Sequence, residues 1–582
     1  MKDFFKNVLA NITAIIIVFI LPILLLLIFA IAGIFRGSSP SFGKNSVLVI
    51  DDKMVLNDSP TDYNETFSSL NAEDQPVLLY DMLEAIRRAK TDDRISGISI
   101  EADNLSAGTT QIDDVRAALE DFKKSGKFVY AYGNNVQQSA YYLGTAAQQY
   151  FLHPAGSIEL RGMSTEVPYL KQMLDKFGIG MEVIRHGDYK AAVEPFLRDD
   201  MSAENREQLS TLLNDVWNNL AGKMAASRKL SVAEFQKSTD SLDGYIPETA
   251  LNKKLVDKLI QKSEYEDFIK KRIGLKTTEK LGKISFAEYA ESTKADGGGD
   301  AVAILYASGD IVNGYQYQGI SARKYVKEIQ KLAENDKVKA VVFRVNSPGG
   351  SANASDEILF ELKKLKAKKP LIVSFGDYAA SGGYYISMAA DKIYTQPNTI
   401  TGSIGVFGVI PNVKQIANRN GIHAESVKTN ANADGFSVIN GLSPGTRSVI
   451  EKSVEQTYRR FAGFVMQNRK KSFEQVDALG GGRVWSGIRA KELGLADETG
   501  SLMDAVNFAA AKANLKKYKV ESYPKQLNFF EQLMDTEESN NSFATKLIEN
   551  KIGKENYKIL QQLSEPDNKS TIFMECPIRL KF

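Results

Sequence analysis

The chain has 582 residues, which is too long for one hydrophobic core, so its length predicts three or four domains. Charged residues make up 25% of the chain and the formal net charge is +2, which gives no support to a nucleic-acid-binding protein. The single cysteine, Cys576, excludes a disulfide framework within the chain.

The amino terminus carries an apolar run without charges at residues 8–35. At a rise of about 1.5 Å per residue, this run is long enough to cross a hydrocarbon layer of about 30 Å. A cleaved signal peptide is the alternative, but its apolar region is typically only about 7–15 residues long. We therefore expect an uncleaved membrane anchor at residues 1–36. Lys2 and Lys6 before the run weakly favour a cytoplasmic amino terminus, with the rest of the chain across the membrane.

The remainder of the chain contains two copies of one pattern, displaced by 243 positions. Residues 91–133 align without a gap with residues 334–376. The identical pairs at this offset include Ile86 and Ile329, Asp113 and Asp356, Gly133 and Gly376, Tyr141 and Tyr384, Tyr142 and Tyr385, and Pro154 and Pro397. The alignment predicts two homologous domains, at residues 45–277 and 301–522.

Two further segments complete the predicted domain organisation. Residues 278–300 are polar and contain three consecutive glycines, which is typical of a linker. Residues 523–582 match nothing in the first half and are interpreted as an exposed C-terminal extension.

Each half alternates short apolar runs with amphipathic stretches. In the second half, residues 301–307, 338–345 and 370–375 are apolar, β-branched runs of strand length. Residues 355–366 carry apolar side chains at helical spacing. Short buried strands that alternate with helices predict a parallel sheet in an α/β domain.

The segment DYAASGGYYIS, residues 377–387, places Ser381 between a predicted strand and a predicted helix. Gly382 and Gly383 leave room for a reacting carbonyl group, and the free N–H groups of a helix N-terminus can stabilise an oxyanion. An ordinary N-cap serine with glycines for packing is the alternative. The first half has Gln138 at the position of the serine.

A second glycine-rich turn, NSPGGSA at residues 346–352, also lies between a predicted strand and a predicted helix. The carboxyl ends of parallel strands meet at one edge of a sheet, so we expect both turns to line one crevice. Two backbone N–H donors from two turns are what an acyl-transfer enzyme needs. The first half has EADNLSAGT, residues 101–109, in place of the segment that contains this turn.

A serine hydroxyl needs a general base to become a nucleophile. The three histidines, His153, His186 and His423, are not neighbours of the serine in sequence, although a triad that uses His186 or His423 stays open as an alternative. A lysine titrates near pH 10.4 in water, and it must be desolvated to act as a base near pH 7–8. Lys190 lies in the apolar context GDYKAAVEPF, and its counterpart in the second half is Ala433.

The two halves therefore differ in a complementary way. The first half keeps a lysine that the second half lacks, and the second half keeps a serine that the first half lacks. This pattern predicts one catalytic site assembled from both halves.

At these residues the chain resembles the long, tandem-repeat members of the signal peptide peptidase A (protease IV) family of membrane-anchored serine proteases. The motifs that carry the resemblance are NSPGGSA, YAASGGYY, TGSIGV and GRVWSGIRAKELGL in the second half, and GDYKAAVEPF in the first. The resemblance implies two tandem Clp-protease/crotonase-like α/β domains after the N-terminal transmembrane helix.

The family motifs also imply a role for each site residue. Ser381 would be the nucleophile and Lys190 the general base. Ser403 would hydrogen-bond the lysine amine, although a turn serine is the alternative for this residue. Gly350 and Gly382 would donate the amides of the oxyanion hole.

The resemblance further implies the setting of the reaction. No metal or other cofactor is expected, and the expected substrates are hydrophobic peptides such as cleaved signal peptides. The family forms homo-oligomers, with a tetramer for the long form. The expected location is the bacterial inner membrane, with the catalytic part on the periplasmic side.

Two other functions remain open from the sequence. An acyl-CoA hydratase or isomerase with a crotonase-like fold predicts acidic residues near the oxyanion turns and no membrane anchor. A non-catalytic membrane scaffold gives no reason to keep Ser381 in one half and Lys190 in the other.

Overall fold

The computed structural model describes residues 42–60, 75–293, 299–314, 319–525 and 573–576. The predicted anchor at residues 1–36 lies outside these ranges. Among the helices within them, none is long and apolar enough to cross a membrane. The membrane anchor therefore stays a prediction.

The first half alternates strands and helices as its apolar pattern predicts. Its strands are β1 (Ser46–Asp51), β2 (Met54–Asn57), β3 (Gln75–Leu78), β4 (Ile95–Glu101), β5 (Phe128–Gln137), β6 (Gln149–Glu159), β7 (Gly180–Arg185), β8 (Lys258–Leu259) and β9 (Lys283–Ser285). Its helices are α1 (Leu79–Ala89), α2 (Thr109–Lys123), α3 (Gln138–Gly144), α4 (Lys171–Phe177), α5 (Glu194–Leu197), α6 (Ala203–Arg228), α7 (Val232–Asp240), α8 (Pro247–Asn252), α9 (Lys262–Arg272) and α10 (Phe286–Ser292).

The second half repeats this alternation. Its strands are β10 (Ala301–Ser308), β11 (Ile311–Val312), β12 (Ile320–Ser321), β13 (Val338–Ser347), β14 (Gly349–Ser351), β15 (Leu371–Ala380), β16 (Lys392–Thr395), β17 (Ile400–Gly402), β18 (Phe407–Asn412), β19 (Phe436–Ser437), β20 (Gly441–Leu442), β21 (Val484–Ser486), β22 (Glu498–Thr499), β23 (Lys519–Tyr523) and β24 (Phe573–Glu575). Its helices are α11 (Ala322–Glu334), α12 (Ala352–Lys368), α13 (Gly382–Ile386), α14 (Lys414–Arg419), α15 (Pro444–Arg469), α16 (Phe473–Leu479), α17 (Gly487–Glu492) and α18 (Leu502–Lys512).

Each half is built on a largely parallel sheet. The order in the first half is β8-β6-β5-β4-β1-β9, with every pair parallel. The order in the second half is β21-β17-β15-β13-β10-β23, in which only the β17–β21 pair is antiparallel. The three predicted strands of the second half are β10, β13 and β15, so the α/β prediction is confirmed.

The duplication is visible in the elements themselves. Strands β4 and β5 of the first half correspond in sequence to β13 and β15 of the second half. Among the described residues, the longest helices are α6 and α15, with 26 residues each. Buried apolar side chains such as Ile98 and Val341 fill both faces of the sheets, as strands covered by helices on both sides require.

A third sheet contains strands from both halves, in the order β12-β11-β14-β24-β18-β7. Strand β7 of the first half pairs antiparallel with β18 of the second half, from Arg185 opposite Phe407 to Gly180 opposite Asn412. This pairing fixes the loop that follows β7 against the second half.

The predicted boundaries need two corrections. Part of the segment interpreted as a linker, 278–300, is folded, because Ile284, Phe286 and Tyr289 are buried and β9 pairs with β1. Within the C-terminal extension, residues 573–575 form β24 rather than an exposed appendage. A polar average composition predicts a linker at residues 278–300, and it hides the few apolar side chains that enter the core.

Candidate active site

Ser381 lies at the sharp turn between β15 and α13. Its backbone has φ 53° and ψ −114°, a conformation that side-chain-bearing residues rarely adopt. The Ser381 N–H donates a hydrogen bond to the carbonyl oxygen of Gly402 at 2.8 Å. The residue is fully buried. Such a strained strand-to-helix turn is typical of a nucleophilic serine.

Lys190 lies five residues after β7 and is also fully buried. Two glycines of the second half make room for it. A Cβ atom added at Gly482 would lie 2.6 Å from Lys190 Cβ, and one added at Gly405 would lie 3.3 Å from Lys190 Cδ. The Tyr189 N–H donates to the Gly481 carbonyl at 3.1 Å, which holds the loop in place. The motifs TGSIGV and GRVWSGIRAKELGL of the second half therefore line the space that the Lys190 side chain of the first half occupies.

The structure brings the two predicted residues together. Lys190 Nζ lies 2.8 Å from Ser381 Oγ, within hydrogen-bond distance, although the residues are 191 positions apart in the chain. Lys190 Nζ also lies 2.9 Å from Ser403 Oγ and 3.3 Å from the Ser403 carbonyl oxygen. The lysine amine therefore contacts hydroxyl groups on two neighbouring turns of the second half.

Ser403 reaches this position because β17 pairs with β15. Ala380 lies opposite Gly402 in that pair, so Ser381 and Ser403 leave the sheet side by side. Ser403 has φ 50°, and its N–H donates to the Arg483 carbonyl at 2.7 Å.

The two glycine-rich turns face one small space. A Cβ atom added at Gly382 would lie 3.2 Å from the Gly350 amide nitrogen, and one added at Gly349 would lie 2.8 Å from the Gly382 amide nitrogen. Gly349 has φ 113° and Gly350 has φ 148°, which glycine tolerates and other residues avoid. The two predicted oxyanion amides, of Gly350 and Gly382, are therefore neighbours.

The corresponding positions in the other half carry different interactions. Gln138, at the position of the serine, donates from Nε2 to the Gly162 carbonyl at 3.0 Å and accepts from the Gly162 N–H at 2.9 Å. Ala433, at the position of the lysine, is exposed. The first half uses its turn to hold a neighbouring loop.

The histidines are engaged elsewhere. His186 Nδ1 lies 2.7 Å from Glu455 Oε2, and its ring stacks on Tyr458 with 3.5 Å between the ring centroids. His423 contacts Asn418 and is exposed. The Nδ1 atom of His153 accepts from the Ala155 N–H. The histidine alternative thus has no contact with Ser381 to support it.

Buried charged residues also connect the two halves. Arg344 of β13 forms an ion pair with Asp58 at 3.0 Å, and both side chains are at most 2% exposed. Burial raises the pKa of Asp114 to about 7, while the guanidinium of Arg344 acts in the opposite direction. Burial also raises the pKa of Asp377, whose carboxylate accepts hydrogen bonds from the Thr110 N–H and hydroxyl. Within the described residues, no group of three or more His, Cys, Asp or Glu side chains is arranged to hold a metal ion.

A buried serine at a strained turn, beside two adjoining glycine turns on an α/β fold, defines a serine hydrolase. The family model described as "Peptidase family S49" matches residues 121–276 and 363–516, one match in each half. The model described as "Clp protease" matches residues 294–401. The chain belongs to peptidase family S49 and is a serine protease.

Named relatives agree with this family. "Protease 4" of Salmonella typhi is 37% identical over 519 residues, which cover 86% of this chain and 84% of the relative. "Serine protease SPPA, chloroplastic" of Arabidopsis thaliana is 32% identical over 445 residues, covering 74% of this chain and 64% of the relative. "Putative signal peptide peptidase SppA" of Enterococcus faecium is 35% identical over 198 residues, covering 34% of this chain and 56% of the relative.

Proposed function

We propose that this protein is an endopeptidase in which Ser381 is the nucleophile and Lys190 is the general base. The observation that carries the proposal is the 2.8 Å distance between Lys190 Nζ and Ser381 Oγ in a buried site. Full burial disfavours the charged form of an amine, and only the neutral form can accept a proton. The hydroxyl groups of Ser381 and Ser403, which lie beside the Lys190 amine, are compatible with a neutral amine.

The reaction follows from this geometry. Lys190 takes the proton of the Ser381 hydroxyl, and the oxygen attacks a peptide carbonyl. The amides of Gly350 and Gly382 stabilise the oxyanion that forms. The lysine ammonium then gives its proton to the leaving amine, so the peptide bond breaks and an acyl-serine remains. Water, deprotonated by the same lysine, hydrolyses the acyl-serine and restores both groups.

Ser403 acts as a positioning residue in this proposal. Its hydroxyl lies 2.9 Å from Lys190 Nζ, so it can accept one N–H of the amine. The lone pair of the nitrogen is then directed at Ser381.

The proposed substrates are hydrophobic peptides such as cleaved signal peptides. The apolar run at residues 8–35 and the name of the relative from Enterococcus faecium support this choice. A membrane anchor would hold the site close to peptides that remain in the bilayer. We include in the proposal a single-pass location in a bacterial inner membrane, with the catalytic part on the periplasmic side, and a homotetrameric assembly.

Hydrolysis of a fluorogenic hydrophobic peptide by the full chain tests the proposal. We expect Ser381→Ala and Lys190→Ala each to lower kcat/KM by at least about 1000-fold, because the two groups act as a unit. Lys176→Ala, which removes an exposed lysine from the same half, is the matched control and should retain activity. Turnover by either site variant at the wild-type rate would remove the proposed assignment.

A further inference from the structure

Helix α6 carries a polar side chain, Gln208, on its buried face. This side chain is only 1% exposed and lies beside the buried apolar residues Leu209 and Leu212 of the same helix. A buried amide costs free energy unless its donors and its acceptor all find partners. The partners of Gln208 therefore indicate what this amide contributes to the molecule.

The amide of Gln208 connects two segments from different halves of the chain. Its Nε2 donates to the Tyr189 carbonyl at 3.1 Å, and Tyr189 is the residue before Lys190. Its Oε1 accepts from the Val484 N–H at 3.3 Å, at the start of β21. The side chain therefore joins the lysine loop of the first half to a strand of the second half.

The segment around β21 in turn holds Ser403. Val484 lies opposite Gly402 in the antiparallel pair of β17 and β21. The Arg483 carbonyl, next to Val484, accepts the Ser403 N–H at 2.7 Å. The two segments that the glutamine amide bridges thus hold the lysine amine and the serine hydroxyl that are 2.9 Å apart in the site.

A chain of buried hydrogen bonds fixes which way the Gln208 amide points. The Glu194 carboxyl group accepts from Asn205 Nδ2 at 3.1 Å, which leaves Asn205 Oδ1 to face Gln208. Gln208 Nε2 donates to that oxygen at 3.1 Å as well as to the Tyr189 carbonyl. A flipped amide would set its oxygen against these two acceptors, so the oxygen must face the Val484 N–H. Buried neighbours therefore select the orientation that bridges the halves.

The loop that carries Lys190 depends on such contacts. Residues 186–190 belong to no helix or strand. The Tyr189 N–H donates to the Gly481 carbonyl at 3.1 Å, and the Tyr189 carbonyl accepts from Gln208, so both polar backbone atoms of this residue bond to other segments. A displacement of a catalytic group by about 1 Å can cost about 100-fold in rate. Loss of one of these bonds therefore affects the place of the lysine amine.

We infer that Gln208 is a positioning residue for the proposed reaction, because it holds the Lys190 amine in register with Ser381 and Ser403. This inference rests on the proposed function, since it concerns the same site. Gln208 acts through the backbone of Tyr189 and touches neither the reacting atoms nor the peptide.

Steady-state hydrolysis of a fluorogenic hydrophobic peptide by the full chain tests the inference. Gln208→Met keeps an unbranched side chain of similar length and removes all three hydrogen bonds of the amide. We expect kcat to fall about 10- to 100-fold, because Lys190 is less well directed at Ser381. KM should change by less than about twofold, because the amide does not contact the substrate. A wild-type kcat in folded Gln208→Met would overturn the inference.

Two variants of the same helix serve as matched controls. Leu212→Ala leaves a cavity on the same buried face, so it should lower the melting temperature and keep kcat where the chain is folded. Asn214→Met replaces an exposed amide of α6 by methionine and should leave kcat and KM unchanged. An equal fall of kcat in Leu212→Ala and Gln208→Met would assign the effect to general loosening of the helix and overturn the inference.

A second variant covers the case in which Gln208→Met does not fold. Asn205→Ala removes the oxygen that orients the amide and leaves Gln208 in place. We expect a smaller fall of kcat, about 3- to 10-fold, again with little change of KM. A wild-type kcat in this variant, together with an unfolded Gln208→Met chain, would show that the amide is needed for folding alone and would overturn the inference.

Hydrogen exchange distinguishes this inference from the proposed function, because it needs no catalysis. Amide exchange in residues 186–191 should be at least about tenfold faster in Gln208→Met than in wild type, and unchanged in Leu212→Ala. Faster exchange in this loop, in a protein whose wild-type form hydrolyses no peptide, would keep the support of the loop and remove the proposed chemistry. Normal hydrolysis with the same kcat and the same exchange in Gln208→Met would keep the chemistry and remove the positioning role.

Discussion

Lys190 Nζ lies 2.8 Å from Ser381 Oγ although the two residues come from opposite halves of a duplicated chain. The antiparallel pairing of β7 with β18 carries the lysine loop across the boundary between the halves. In the proposed mechanism one lysine serves one serine, so a second copy of each is redundant. This redundancy explains why the first half can have Gln138 at the position of the serine. It also explains why the second half can have Ala433 at the position of the lysine.

The proposed base gives the activity a defined pH dependence. Below the pKa of a lysine, the neutral fraction falls tenfold for each pH unit, so kcat/KM should rise with pH and level off in the alkaline range. This pH dependence is checked by measuring kcat/KM for a peptide without titratable groups from about pH 6 to 10, over the range where the fold is intact. Lys190→Arg keeps the charge but stays protonated, so it should be inactive throughout. A flat profile for the wild-type chain would contradict a lysine base.

Ser403 should affect kcat more than KM. Loss of its hydroxyl leaves Lys190 less well directed at Ser381, and misplacement of a catalytic group costs about 10- to 100-fold in rate. Because Ser403 has φ 50°, Ser403→Ala and Ser403→Gly differ in backbone strain while both lack the hydroxyl. Equal losses of kcat in the two variants would assign the effect to the hydroxyl. Recovery of activity in Ser403→Gly alone would assign it to the backbone.

The sequence was sufficient to predict the alternation of strands and helices, because buried strands of parallel sheets are continuous apolar runs. It also marked Ser381 and Lys190, because the comparison of two copies shows what each copy has lost. The structure places these two residues within hydrogen-bond distance, while their roles stay a proposal.

Long-range pairings that depend on a few residues were missed. Strand β24 has only three residues, and no local pattern predicts that it pairs with β14. The ion pair between Arg344 and Asp58 joins positions 286 residues apart, and neither residue stands out in sequence. Ile284 and Phe286 looked like part of a linker because their neighbours are polar.

The glycine turn at Gly350 should tolerate no side chain. With φ 148° and a Cβ position 2.1 Å from the Ile311 carbonyl oxygen, Gly350→Ala should cost on the order of 3 kcal/mol of stability. Gly463→Ala is the matched control, because this helical glycine has nothing within 4 Å of the added Cβ. That substitution should stabilise the chain by about 0.5–1 kcal/mol. Thermal unfolding of both variants measures the difference, and similar melting temperatures would contradict the close packing of the turn.

Asp114 should make the stability of the chain fall as the pH rises. Burial raises its pKa to about 7, whereas an unfolded aspartate titrates near about 3.9. Between these values the folded state holds a proton that the unfolded state releases, so stability declines with pH by at most about 1.4 kcal/mol per pH unit. Above pH 7 the stability contributed by the protonated Asp114 is fully lost, because the carboxyl group is then ionised in both the folded and the unfolded state.

Asp114→Asn removes this titration and keeps an oxygen that can accept the hydrogen bond from Gln396. The melting temperature of this variant, relative to wild type, should therefore be higher at pH 8 than at pH 5. Asp175→Asn removes an exposed carboxylate of α4 and serves as the control, with small differences expected at either pH. If the difference between Asp114→Asn and wild type is the same at both pH values, Asp114 keeps its charge throughout. The buried interface between the halves would then contain an ionised Asp114 carboxylate that is stabilised by the charge of Arg344.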